Sequence, residues 1–361
     1  MVNRNNLNVL VCPLGWGLGH ASRDIPIINQ LLRQGHSVYV AGDRPQLDYL
    51  KQFFPDLRTI HFPSLKVNYT GFSTQFFSLL LVALRLPFFN IWEHYRLKKI
   101  VTEYSIDLVI SDNRYGLWSR QVKSVMVTHQ VRVIPPFPFK WTQRLIELST
   151  KHWLKRFHQV WIPDYSNGRS IAGFLSKQNG LKNLHYIGIL SRFSDISIDG
   201  ILGGFELVVV ASGPEPQRSI FADLSAQLAQ KLNLSCLIIE GKIDNGIIPR
   251  NANGVWHVGH LPDLQFALAV KHSKYLIVRG GYSTIMDLIT LGVSGLLVPT
   301  PGQTEQEYLA EHLSLKGLFP FVEQHNLLNV DKKNMEVESI KNINTADDTL
   351  GKLISALYPF R

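Results

Sequence analysis

The chain has 361 residues, 45% hydrophobic and 18% charged, a balance that suits an ordered protein with two buried cores and excludes a disordered or fibrous one. Its formal charge of +9 is confined to one half, because residues 1–160 hold 20 Lys+Arg against 9 Asp+Glu and the rest hold 17 against 19. The basic half implies an anionic partner, either nucleic acid or an anionic membrane surface, and no nucleic-acid-binding motif is present.

Residues 1–8 are polar and lead straight into an apolar run at 7–14, without the basic-then-apolar order of a signal peptide, so the chain is expected to be cytoplasmic. That first run reads as a strand. It ends in Gly15-Trp16-Gly17-Leu18-Gly19-His20, and residues 21–34 then read as an amphipathic helix with Ile25, Ile28, Leu31 and Leu32 on one side and Gly35 stopping it. Glycines let the backbone approach a ligand closely, and the free N–H groups of a helix start favour an anion or a polarised hydroxyl. A dinucleotide site is the rival, since Asp43 closes the second strand, but that fingerprint needs Gly where this chain has His20.

Short Val/Ile/Leu runs at 37–41, 108–111, 125–128 and 160–162 continue a parallel sheet. His20 at its carboxyl edge is a candidate general base, and Asp112, at the end of the 108–111 strand, a candidate to orient the imidazole. The plain alternatives are a helix-capping His20 and a turn-forming Asp112. Between them lies an apolar segment, residues 72–100, with Phe72, Phe76, Phe77, Phe88, Phe89 and Trp92, closing on Arg96, Lys98 and Lys99. Arg85 and Pro87 interrupt it, so it is expected not to span a membrane but to be a buried helix pair or to lie in the interface. Two aromatic and basic clusters, at 135–141 and 153–157, add the composition of a surface resting on anionic headgroups.

Residues 190–204 carry Ser, Asp and Gly without periodicity and read as a linker, after which the strand rhythm restarts at 207–211, 236–240, 255–258, 275–278 and 295–299. Cys12 and Cys236 fall in separate apolar runs and read as reduced core thiols, and no Cys/His cluster has metal-ligand spacing. Residues 321–345 turn polar and irregular, and 349–358 regain helical spacing in a helix that needs a surface to pack on, such as the N-terminal domain.

After the 275–278 strand comes Arg279-Gly280-Gly281-Tyr282-Ser283, then a helix with Ser283 as its expected N-cap and Asp287 one turn in. That geometry offers N–H groups to a phosphate and a carboxylate to a ribose diol, although an Asp near a helix start is also often merely solvated. The loop at 300–307 supplies polar side chains beside it.

Together, Gly17-Leu18-Gly19-His20, Ser212-Gly213, Gly259-His260-Leu261-Pro262 and the run from Arg279 through Gln306 to Tyr308 make the chain resemble the glycosyltransferase family 28 group, which includes the lipid I N-acetylglucosaminyltransferase and the monogalactosyldiacylglycerol synthases. The resemblance implies an α/β GT-B fold, with two Rossmann-like doubly wound domains facing across a cleft. It assigns an acceptor-binding, membrane-facing domain to 1–190, a linker to 191–204, a nucleotide-sugar domain to 205–345 and a terminal helix to 346–361. It also implies an inverting, metal-independent transfer from a UDP-sugar to a lipid-linked or hydrophobic hydroxyl, on the inner face of the cytoplasmic membrane, with no cofactor besides the donor.

Within that resemblance Asp287 contacts the ribose, Leu261 beside His260 meets the uracil through its backbone, and Gln306 and Glu307 face the sugar hydroxyls. Ser212, Gly213 and Arg218 take the diphosphate side, with Arg279, Gly280, Gly281, Ser283 and Thr284 opposite. Gly17, Gly19, Arg114 and His129 fall on the acceptor side. The chain departs from the family at Trp16 and Leu18, where the lipid I enzymes carry more glycine, at Asp287, where Glu is common, and at Ala310, where Asn often stands. A nucleotide-sugar epimerase of the same architecture and a noncatalytic UDP-sugar-binding subunit remain the alternatives.

Overall fold

A computed structural model describes residues 6–65, 75–136, 139–177, 180–194, 196, 198, 200, 204–242, 250–252, 254–340 and 349–357, with side chains of 75–84, 167, 250 and 251–252 left out. Phe72, Phe137 and Pro138 lie outside the described residues, as do the side chains of Phe76 and Phe77.

The chain divides into two compact units between Leu190 and Ser191. The first unit runs β1 (Asn8–Cys12), α1 (Leu18–Arg33), β2 (Ser37–Gly42), α2 (Arg44–Phe53), β3 (Arg58–His61), α3 (Gln75–Glu103), β4 (Leu108–Asp112), β5 (Lys123–Val127), α4 (Gln143–Leu154), β6 (Gln159–Ile162) and β7 (Leu184–Tyr186). Its seven strands are all parallel, in the order β3-β2-β1-β4-β5-β6-β7. The central strands are β-branched and aliphatic because both faces are covered, and β1, β4 and β5 are buried almost throughout.

The second unit runs β8 (Leu207–Val210), α5 (Gln217–Lys231), β9 (Cys236–Ile239), β10 (Arg250–Ala252), β11 (Val255–Val258), α6 (Asp263–His272), β12 (Tyr275–Arg279), α7 (Tyr282–Leu291), β13 (Val293–Ser294), β14 (Leu296–Val298), α8 (Thr304–Leu315) and β15 (Glu338–Ser339). Its main sheet has the order β10-β11-β9-β8-β12-β14, parallel except for β10 against β11, and β13 pairs with β15 separately. A last helix, α9 (Thr349–Leu357), belongs to the first unit and packs on α1, where Gln34 Nε2 donates to the Gly351 carbonyl at 3.1 Å.

Both sheets reverse their strand order once, between β1 and β4 in the first unit and between β8 and β12 in the second. Such a reversal splays the loops that leave the two strands and opens a crevice at their carboxyl ends. These are therefore the two places where a ligand site is expected from topology alone.

Several local expectations are corrected. Helix α1 begins at Leu18 rather than Ala21, because Gly17 takes a φ of 116° that breaks the chain just before it. His20 thus stands in the first helical turn, neither on the loop nor at the cap. Residues 191–193 are not open linker, since Ser191 and Phe193 are buried and Phe193 stacks on Phe266 at 5.7 Å between centroids. Residues 321–340 are ordered by two 3-10 helices, Gln324–Asn329 and Lys332–Met335, which bury Leu327, Val330 and Met335 in the second core. Cys12 and Cys236 are free and buried, and burial pushes both thiols up to about 12.

Residues 75–103 form one helix, with Pro87 inside it, instead of a pair. Its later turns are two-faced: Leu97, Ile100 and Val101 enter the core while Phe88, Ile91 and Tyr95 are exposed. No helix among the described residues is long and apolar enough to cross a membrane.

Candidate functional site

In the first unit, α1 starts beside the carboxyl end of β1, and β4 ends on the neighbouring strand with Asp112. His20 occupies the third position of α1, which turns its ring toward that strand. His20 Nδ1 and Asp112 Oδ2 are 2.9 Å apart. Burial would raise the Asp112 carboxyl, but Arg23 and His20 outweigh it and hold the group below its ordinary value. Asp112 is then an acceptor only, so Nδ1 carries the proton and donates it. Nε2 is left as the accepting nitrogen, with no partner among the described residues.

Burial lowers the His20 pKa below the imidazole's ordinary 6.5, with Arg23 and His129 acting the same way against the raising effect of Asp112. The ring is therefore neutral at neutral pH, the form a general base requires. Its side chain keeps 18% of its surface exposed, against 0% for Asp112, so the histidine is the member of the pair that solvent reaches.

Two further residues of α1 complete this cluster, and neither stood out in the sequence. Arg23, one turn beyond His20 on the same helix face, donates from Nε to Asp112 Oδ2 at 2.9 Å and from Nη2 to Asp112 Oδ1. Its Nη1 lies 3.2 Å from His129 Nδ1, which must accept because arginine has no lone pair to offer. Asp24 is fully buried, and desolvation followed by the charge of Asp112 pushes its carboxyl well above its ordinary value.

The remaining acceptor-side residues divide. Gly17 caps α1 and its carbonyl accepts from Gln46 Nε2 at 3.0 Å, while Gly19 sits half-buried in the first turn. Asp43, which the dinucleotide reading requires for a ribose, accepts the Ser64 amide at 3.0 Å and lies where any side chain at Gly15 would stand. Arg114 is a correction: it is 1% exposed and all three guanidinium nitrogens face inward, to Glu93 Oε1 at 2.8 Å and to the Phe62 and Pro63 carbonyls at 3.0 and 3.1 Å. It braces the loop that follows Asp112, and its guanidinium is turned into the core. Glu93 also accepts the Gly116 amide, and a Cβ on Gly116 would come within 2.4 Å of the Asn90 carbonyl, so only glycine fits there.

In the second unit the loop after β8 carries Ser212 and Gly213, the latter with a φ of 115°, and α7 begins after β12 with Gly281 as its N-cap. The expected capping by Ser283 is corrected, because the helix starts one residue before it and no side chain caps the turn. Ser283 and Thr284 lie inside the first turn. Gly280 lies against the backbone of Gln306, where a Cβ would be 3.4 Å from its carbonyl oxygen.

Other donor-side residues are tied more tightly than their sequence positions suggest. Arg279 is 1% exposed and donates inward, from Nη2 to the Gln217 carbonyl at 2.8 Å and Gln324 Oε1 at 2.6 Å, and from Nη1 to the carbonyls of Val298 and Pro299 at 3.3 Å each. It joins the ends of three segments, α5, β14 and the 3-10 helix Gln324–Asn329. Arg218 donates to Glu215 Oε1 from Nε at 3.1 Å and Nη2 at 2.8 Å. Against desolvation, Ser219 and Arg218 bring the Glu215 carboxyl down to about 2. Gln306 Oε1 accepts the Thr300 amide at 2.9 Å and its Nε2 donates to Gln303, while Glu307 Oε1 accepts the Gly302 amide at 2.8 Å.

Asp287 lies deeper than a first-turn carboxylate. Its Oδ1 accepts from Ser191 Oγ at 2.7 Å, and Arg192 bridges its Oδ2 at 3.3 Å to Asp263 Oδ1 at 2.9 Å. Burial raises its carboxyl to about 6, against the lowering effects of Arg192 and Ser191. Burial followed by Arg192 also lowers the His260 imidazole, and the Leu261 side chain is buried. The partners Ser191 and Arg192 come from the segment that was expected to be linker, which is why the sequence did not point to them.

No protein-family model matches the chain. An uncharacterized glycosyltransferase of Methanosarcina acetivorans is 24% identical over 335 residues, spanning 86% of this chain and 84% of that protein. Among solved structures, the spinosyn rhamnosyltransferase SpnG complexed with thymidine diphosphate superposes with a TM-score of 0.58 at 14% identity, covering 97% of this chain and 95% of its own. MurG of Acinetobacter baumannii superposes with a TM-score of 0.52 at 12% identity, covering 98% and 91%. These likenesses establish the fold as the α/β GT-B class, built from two Rossmann-like units with parallel sheets.

Proposed function

We propose that the protein is an inverting glycosyltransferase that moves a sugar from a nucleotide-diphosphate donor, of the UDP-sugar type, to a hydrophobic or lipid-linked hydroxyl. The observation that carries the reading is the His20–Asp112 pair, 2.9 Å apart at the crevice of the first sheet, with a neutral imidazole that keeps Nε2 free to accept a proton. In the transfer, the acceptor O–H bond breaks and its proton passes to Nε2. A new bond forms from that oxygen to the anomeric carbon as the bond from that carbon to the phosphate oxygen breaks, and the nucleoside diphosphate leaves with the electron pair. Asp112 stabilises the imidazolium that results.

The donor half is assigned to the second unit, where the loop at Ser212 and Gly213 and the uncapped start of α7 stand at the second crevice. The thymidine diphosphate carried by SpnG and the glycosyltransferase named in Methanosarcina acetivorans support a nucleoside diphosphate there. Thermal unfolding in the presence of UDP, thymidine diphosphate and their sugar conjugates tests the assignment, because a ligand at a hundredfold its Kd stabilises by about 2.7 kcal/mol. A rise in Tm with at least one of them is expected. No rise with any of them would overturn the donor reading.

The acceptor is assigned to a membrane surface on the strength of α4. Trp141, on the 3-10 turn that runs into α4, and Leu145 and Leu148 on the helix follow one another at helical spacing and are 73%, 62% and 58% exposed. Lys140, Arg144, Lys151 and Lys155 flank this stripe, the arrangement of a helix resting in anionic headgroups. The second aromatic cluster contributes less than its composition suggested, because Leu154 and Phe157 are core and Arg156 lies over the rings of Trp118 and Trp153. The protein is expected to float with vesicles containing anionic phospholipid and to lose that binding in a Trp141→Ser, Leu145→Ser variant. Equal recovery with neutral and anionic vesicles, or none with either, would refute the membrane assignment.

A further inference from the structure

We propose that Arg23 is a positioning residue for His20, a clamp that fixes the carboxylate on which the histidine leans. Three contacts define it. Nε reaches Asp112 Oδ2 at 2.9 Å, Nη2 bonds Asp112 Oδ1, and Nη1 lies 3.2 Å from His129 Nδ1. Arg23 is 2% exposed and Asp112 0%, so the fork-to-fork pairing is dry and both carboxylate oxygens have a set direction. A carboxylate held by His20 alone could rotate about its own axis. Gripped on both oxygens, it presents Oδ2 to Nδ1 in one orientation, which fixes the tautomer and leaves Nε2 to accept.

The clamp also divides the charge of Asp112 between two cations. The groups facing His20 are Arg23 on its own helix, Asp112 on β4 and His129 after β5, while Asp24 on α1 faces Asp112, and burial followed by the charge of Asp112 raises its carboxyl. Of these, Asp112 favours the imidazolium and Arg23 opposes it. With Arg23 in place, the ring stays neutral while remaining bonded to a carboxylate. His129 completes the clamp, its Nδ1 accepting from Arg23 Nη1 at 3.2 Å.

The kinetic arm of the test rests on His20 being the base, and the spectroscopic arm does not. Arg23→Gln removes the charge, and Arg23→Lys keeps the charge but loses the fork. Circular dichroism selects variants that fold, and NMR titration of the His20 ring is measured beside the pH profile of kcat/KM. In Arg23→Gln the His20 midpoint and the acid limb are both expected to move to higher pH, with kcat at neutral pH down about tenfold and the donor KM little changed. In Arg23→Lys the titration is expected to stay near that of the unaltered protein while kcat falls, because the carboxylate is no longer fixed. If the His20 titration is unmoved in a folded Arg23→Gln, the clamp is overturned and Arg23 is only scaffold. If the titration moves while the rate does not, the clamp stands and the base assignment falls.

Discussion

Replacing His20 with alanine is expected to lower kcat by about 10²–10⁴-fold, the range for losing a positioned general base, with the donor KM little changed. The reason is geometric: the ring is the exposed member of a pair whose carboxylate is sealed away. The pH dependence has a definite sign. A base acts when neutral, and burial lowers this imidazole below its ordinary 6.5, so kcat/KM should hold through neutrality and decline only as pH falls through that lowered value. Asp112→Asn is expected to lose activity as well, since an amide can offer Nδ1 its N–H instead of an acceptor and so turn the ring to the wrong tautomer. Full transfer by His20→Ala across the pH range would refute the base assignment.

The largest effect on stability is expected at the Glu93–Arg114 pair. Both side chains are sealed from solvent, with Nε and Oε1 2.8 Å apart, so removing one leaves an uncompensated charge in the core. Glu93→Ala or Arg114→Ala should each cost about 3–5 kcal/mol, a large part of the roughly 5–15 kcal/mol by which domains are stable. The double variant Glu93→Leu, Arg114→Met should cost less than Arg114→Met alone, because it strands no charge. Denaturant midpoints of the folded variants measure this. Single losses under about 1 kcal/mol would mean the pair behaves as a solvated surface bridge.

The architecture was legible because central parallel strands announce themselves. The runs at 108–111, 160–162 and 236–240 coincide within a residue or so with β4, β6 and β9, since a strand covered on both faces must be apolar throughout. Strands β3 (Arg58–His61), β10 (Arg250–Ala252) and β15 (Glu338–Ser339) were missed for the converse reason: each lies at the margin of its sheet, where polar residues are tolerated. Asp112 could be paired with His20 because each closes or follows a strand, and loops at strand ends are where topology concentrates ligands. Arg23 could not be found that way, since it lies inside a helix whose pattern reads as ordinary amphipathicity. Its position three residues after His20 was the one available signal.

The same limit explains why Arg114 and Arg279 looked like ligand contacts. Arg114 lies just beyond β4 and Arg279 ends β12 before Gly280, positions where a cation commonly reaches a phosphate, and the structure shows each guanidinium bonded to the protein's own carbonyls. Ser191 and Arg192 illustrate the opposite error, because a stretch rich in small polar residues reads as a spacer even when it packs.

The bonds of Arg279 have a kinetic consequence. By tying the start of α5, the end of β14 and the 3-10 helix Gln324–Asn329 to one guanidinium, they brace the crevice to which we assign the donor. A crevice braced in this way is expected to lose little ordering entropy when a nucleotide binds. The observed association rate of a nucleoside diphosphate with this unit should therefore climb in proportion to its concentration, without the plateau that a preceding rearrangement imposes.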